Sequence, residues 1–195
     1  LVIAIKIPSV MRRVFAEGAF NAAFVPLFAG ILAKEGADEA RSYAECIFSL
    51  LVLILSVLTL LAIFFMPDIM PYVVSGFSKT PERMAYVITF TQITFPFILF
   101  ISVCALYSGM LNSLEKFAAA ASSPMFGNIA IISVAYFLIV LNTDMGVAFS
   151  YAVTISGMVQ ALVVMVPAWR NGMRLRLRWP SLTPPMKKFF ILLGP

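Results

Sequence analysis

The chain has 195 residues, 62% of them hydrophobic and 12% charged, with a mean hydropathy of +0.99; soluble domains carry about 25% charged residues, so a soluble globular class is excluded. It has no histidine and two cysteines, Cys46 and Cys104, without a CxxC, which excludes the usual zinc and haem spacings; no metal and no cofactor is expected. The net charge of +5 sits beside apolar spans, where basic residues orient membrane helices, so membrane lipids rather than nucleic acid are the expected partners.

The composition points to an all-α, polytopic transmembrane helix bundle, one domain over 1–195. The chain starts inside "LVIAIKIPSV", stops inside "KKFFILLGP", and is expected to be a fragment of a longer protein. No signal-peptide pattern is visible.

About 20 apolar residues cross the hydrocarbon as a helix. The first candidate span is 11–33, after a break at Pro8. "AKEGADEARSYAE" is a polar connection. The second span, 43–66, is the cleanest, and Pro67 is expected to end it. Residues 67–83 read as a loop, and Thr80-Pro81-Glu82 as a helix start: a capping hydroxyl, proline at the first position, an acid at the positive dipole end.

The third span, 83–112, contains Pro96, which should kink it and free a carbonyl. The fourth span, 119–141, holds Pro124 and Asn128; the fifth, 147–169, ends at Pro167 and Trp169. A sixth helix begins near Pro185 and covers 185–195. Both cysteines read as small buried hydrophobes. Pro96, Gly109 and Gly127 are candidate bending points, though proline and glycine are common in membrane helices. Asn112 and Asn128 are expected to bond neighbouring helices, with lining the cavity as the alternative.

Loops 33–43, 112–118 and 170–188 hold Lys34, Arg41, Lys116, Arg170, Arg174, Arg176, Arg178, Lys187 and Lys188, whereas 67–83 and 142–146 hold only Lys79 and Arg83. That imbalance places the first set in the cytoplasm, with Trp169 and Trp179 in an inner interfacial belt. "RLRLRW" alternates strictly. Beside a membrane it reads as a basic segment touching anionic headgroups, with a site for cargo phosphates as the alternative.

"PSVMRRVFAEGAFNAAFVP" places two arginines and a glutamate in the first span. On a helix, Arg12 shares a face with Ala16, Ala19 and Ala23, and Arg13 shares one with Glu17, Phe20 and Phe24. Arg13 and Glu17 can pair one turn apart; Arg12 has no such partner in its own helix. An arginine at mid-depth costs about 2.5–3.5 kcal/mol on insertion scales. Three arrangements would offset that: snorkelling to outer headgroups, an ion pair with another helix, or a wet cavity where guanidinium forks bind an anion such as a lipid-linked diphosphate. The alanine stripe fits a cavity and equally fits close helix packing.

"RRVFAEGAFNAAFVP" closely resembles the signature of the MurJ (MviN) family of lipid II flippases, and "ITFPFILFISVCALYSGMLNSLEKFAAAASSPMFGN" is similar to that family at 93–128. The resemblance covers essentially the whole chain. It implies membership of the MOP exporter superfamily, a fold of two bundles and fourteen helices around a central cavity, and this chain as helices two to the start of seven in the N-terminal lobe. It implies no enzyme activity. It implies transport of lipid II (undecaprenyl-diphosphate-MurNAc-pentapeptide-GlcNAc) across the bacterial inner membrane by alternating access. Arg12 matches the family's critical arginine, with Arg13 and Glu17 as charged neighbours; these are the expected substrate-binding residues. The alternative is a sister exporter of another polyprenyl-linked oligosaccharide or a drug. The family's first helix and second bundle have no counterpart in these residues, so transport by this piece alone is not expected.

Overall fold

The computed structural model describes residues 19–73 and 81–178. Among them the regular structure is all helical: α1 (Ala19–Lys34), α2 (Ala37–Val73), α3 (Pro81–Thr94), α4 (Phe97–Ser113), α5 (Phe117–Val140) and α6 (Met145–Arg170). Among the described residues four spans are long and apolar enough to cross a membrane: Ala37–Tyr72, Glu82–Ser113, Phe117–Val140 and Met145–Arg170.

The centre of the bundle is α4, which packs against α1, α2, α5 and α6. It buries Ile98, Leu106, Tyr107, Met110 and Leu111 almost completely. Around it, Phe24 and Phe28 of α1, Ile47 of α2 and Val164 of α6 complete the main core. A second cluster joins Leu55, Met66 and Met70 of α2 to Met84 and Val87 of α3 and to Phe95 and Ile98. The outer faces stay apolar: Leu60 is 67% exposed, Phe64 77% and Ile132 70%. In water such a surface would aggregate; in lipid it is the solvated face.

Lipid supplies no hydrophobic drive between helices, so association rests on close packing and interhelical hydrogen bonds. The sequence of α6 fits that demand. Its buried row Ala148, Ala152, Ser156, Gln160, Val164, Ala168 recurs every four residues and is mostly small. Gly157 lets α4 approach: a Cβ there would lie 2.8 Å from Cδ2 of Phe97 and 3.2 Å from Cβ of Phe100. At Gly127 of α5 a Cβ would meet the Gln160 side chain at 2.5 Å. Gly109 and Gly127, singled out above as bending points, thus lie at helix crossings, Gly109 beside Val25 and Phe24 of α1.

The expectation that Pro67 ends the second span fails. Helix α2 continues through Pro67 and Pro71 to Val73. Proline at 67 has no N–H for the carbonyl of Ile63, four residues back. Gln92 of α3 supplies the missing donor, its Nε2 lying 2.8 Å from that carbonyl oxygen. A neighbouring helix re-satisfies the freed group, and the helix survives.

At Pro96 the helix is interrupted for two residues within the span Glu82–Ser113. α3 stops at Thr94 and α4 starts at Phe97. The carbonyl of Ile93 at this break accepts a hydrogen bond from Thr154 Oγ1 of α6 at 2.6 Å. Asn112 and Asn128 are both exposed among the described residues. The buried polar links run instead through Ser123, whose hydroxyl donates to the Gln160 carbonyl at 3.2 Å and lies 3.3 Å from Cys104 Sγ. Cys46 and Cys104 are both buried and unbridged.

Candidate functional site

Arg12, Arg13 and Glu17 lie outside the described residues. The two rows that carry them continue into α1, where the structure is defined. Ala23, on the Arg12 row, is 1% exposed. Phe20 and Phe24, on the Arg13 row, are buried, with ring centroids 5.6 Å apart. Phe24 also stacks on Tyr43 of α2 at 5.8 Å. At Ala23 the alanine stripe therefore serves close helix packing and leaves no open space.

A second polar site includes the arginines of the alternating basic segment, but the partners that complete it were not singled out by sequence reasoning. It is a cleft of about 750 Å³ between the first turns of α2, the end of α6 and the segment after it. The end of α6 is set by Gly172, at φ +82. The N–H of Met173 reaches the Ala168 carbonyl at 3.0 Å and that of Gly172 reaches Trp169 at 3.1 Å, the paired bonds of a Schellman stop. Beyond it, residues 173–178 form a strap without regular secondary structure. Met173 is buried and Leu175 packs against the main core, so alternation turns Arg174 and Arg176 outward. Residues 174–178 of the alternating sequence thus form no sheet strand.

The strap is held by α2. Glu45 is 6% exposed. Its Oε1 accepts the Arg176 N–H at 3.3 Å and its Oε2 the Arg178 guanidinium at 3.5 Å. Ser49 Oγ accepts the Arg178 N–H at 2.8 Å. Glu45 was assigned no role by sequence; its place at the polar end of an apolar span, one turn from Ser49, was the available signal. Trp169, at the cleft wall, donates its Nε1–H to the Tyr107 hydroxyl at 3.3 Å. Lys116, after α4, donates to Asn171, after α6. The structure thus gathers at one end of the bundle the basic loops that follow α4 and α6 and the polar start of α2.

Five arginines line the cleft, at 41, 170, 174, 176 and 178, against the carboxylates of Asp38 and Glu45. Two ion pairs form among the described residues, Arg41–Asp38 at 2.8 Å and Arg178–Glu45 at 3.5 Å. The surplus is cationic. No group of three metal-ligating side chains occurs among the described residues.

The helices and their exposed apolar faces define the class: a multi-pass α-helical membrane protein with a basic cleft at one end of the bundle. The chain belongs to the lipid II flippase MurJ family, whose model matches residues 1–195. It is 38% identical over 196 residues to a probable lipid II flippase MurJ of Rhizobium meliloti (strain 1021), covering 98% of this chain and 37% of that protein. It is 34% identical over 161 residues to the lipid II flippase MurJ of Burkholderia cenocepacia, covering 83% of this chain and 31% of the relative. A solved structure, lipid II flippase MurJ in an inward closed conformation, is similar with a TM-score of 0.73 at 25% identity, over 98% of this chain and 39% of that one. The chain therefore spans less than two-fifths of the length of these relatives.

Proposed function

We propose that the chain is part of the N-terminal lobe of a lipid II flippase of the bacterial inner membrane, moving undecaprenyl-diphosphate-linked precursor between leaflets by alternating access. The observation that carries this reading is the family match over residues 1–195, including the charged first span. The protein acts as a transporter: no bond of the cargo is made or broken. The lipid tail stays in the bilayer while the head crosses a hydrated cavity between the lobes. The basic loops after α4 and α6 face the cytoplasm.

In this reading Arg12 binds the diphosphate directly, its fork taking two oxygens at once. Arg13 assists, and Glu17 sets its orientation from one turn away. The cargo's phosphates then provide the counter-charge that Arg12 lacks in its own helix. The test is made in the full-length protein reconstituted in vesicles, reading the rate at which lipid II becomes accessible outside. Arg12→Ala and Arg12→Lys should both slow transport at least tenfold, because lysine keeps the charge and loses the fork. Normal transport by either variant would overturn direct bidentate binding.

A further inference from the structure

We propose that the cleft between α2, α6 and the 173–178 strap is a binding site for the phosphate group of an anionic phospholipid headgroup. The first support is charge. Asp38 and Glu45 occupy Arg41 and Arg178, while the guanidinium groups of Arg170, Arg174 and Arg176 line the same cleft and have no carboxylate within 4 Å among the described residues. Guanidinium groups match phosphate oxygens in fork geometry and hold them bidentately.

The second support is construction. A loose basic tail would have no fixed register. Here the strap's register is set by Met173 and Leu175 packing inward, by the Schellman stop at Gly172, and by main-chain N–H groups of Arg176 and Arg178 bonded to Glu45 and Ser49. Glu45 spends both oxygens on the strap and so orders the cations without neutralising Arg174 or Arg176.

The third support is place. The cleft opens where α6 ends, at Trp169 and Arg170, and tryptophan marks the headgroup level of a bilayer. Helix α2 has 37 residues, about 55 Å at 1.5 Å each. That exceeds the roughly 30 Å of hydrocarbon, so its first turns can stand among headgroups. A space of about 750 Å³ falls in the range of small-ligand sites, roughly 300–1,000 Å³.

This site stands apart from the Arg12 reading and survives its failure. The test uses the full-length protein in detergent micelles, counting retained lipids by native mass spectrometry with phosphatidylglycerol, phosphatidylcholine or inorganic phosphate added separately. The unaltered protein should retain phosphatidylglycerol in preference to phosphatidylcholine. Arg174→Gln with Arg176→Gln should lower that preference about tenfold, with the melting temperature unchanged. Lys34→Gln with Arg83→Gln removes equal charge outside the cleft and should leave the preference intact. Equal loss in both pairs would overturn a built site in favour of diffuse attraction. Displacement of phosphatidylglycerol by inorganic phosphate at matched concentration would overturn the lipid as the source of the phosphate.

Discussion

The hydrogen bond from Gln92 to the Ile63 carbonyl should carry the helix past Pro67, and a double-mutant cycle tests it. Gln92→Leu keeps similar bulk and removes the donor. The Ile63 carbonyl then has no partner within α2, because residue 67 has no N–H. In hydrocarbon no water would replace it. Interhelical side-chain bonds in membranes average about 0.6 kcal/mol and reach about 1.7, and an unsatisfied buried carbonyl costs about 1–3 kcal/mol. The expected loss is about 1–2 kcal/mol, or roughly a five- to thirtyfold fall in the folded-to-unfolded ratio. Pro67→Ala restores an intrahelical N–H for the same oxygen. In that background Gln92→Leu should cost about 0.5 kcal/mol or less, which leaves a coupling near 1 kcal/mol. Equilibrium unfolding of the full-length protein by sodium dodecyl sulfate in mixed micelles measures all four corners. Additive effects, within about 0.3 kcal/mol, would refute the claim that Gln92 stands in for the missing amide.

Two further changes test packing and capping by the same unfolding assay. Gly157→Ala should destabilise by about 1–3 kcal/mol through overpacking, because its Cβ would sit 2.8 Å from the Phe97 ring, whereas Gly30→Ala, inside α1 with nothing within 4 Å, should stabilise by about 0.5–1 kcal/mol; a reversed order would contradict the close α4–α6 contact. Asp144 caps α6, its Oδ1 accepting the N–H of Gly146 at 2.9 Å and of Val147 at 3.2 Å, so Asp144→Ala should cost about 0.5–2 kcal/mol, while Asp144→Asn should cost less than half as much.

Composition and hydropathy were enough to determine an all-helical membrane bundle, because the demand that every backbone group be satisfied in lipid admits few other structures. A local disturbance at Pro96 was legible as an expected kink, because a missing N–H is written in one residue. The family was legible as a resemblance carried by "RRVFAEGAFNAAFVP" and the 93–128 stretch.

Pro67 was expected by the same local rule to end its span, and there the tertiary structure decided otherwise. The donor that rescues α2 comes from Gln92, 29 residues from Ile63. The Thr154 hydroxyl that meets the Ile93 carbonyl lies 61 residues away. The strap at 173–178 shows the same limit. Its alternation was plain in the sequence, but Glu45, 131 residues before Arg176, decides that it lies against α2 and forms a cleft wall. Hydropathy is a property of each residue and its neighbours along the chain, whereas the partner of a freed carbonyl or a buried carboxylate is chosen by which helices touch.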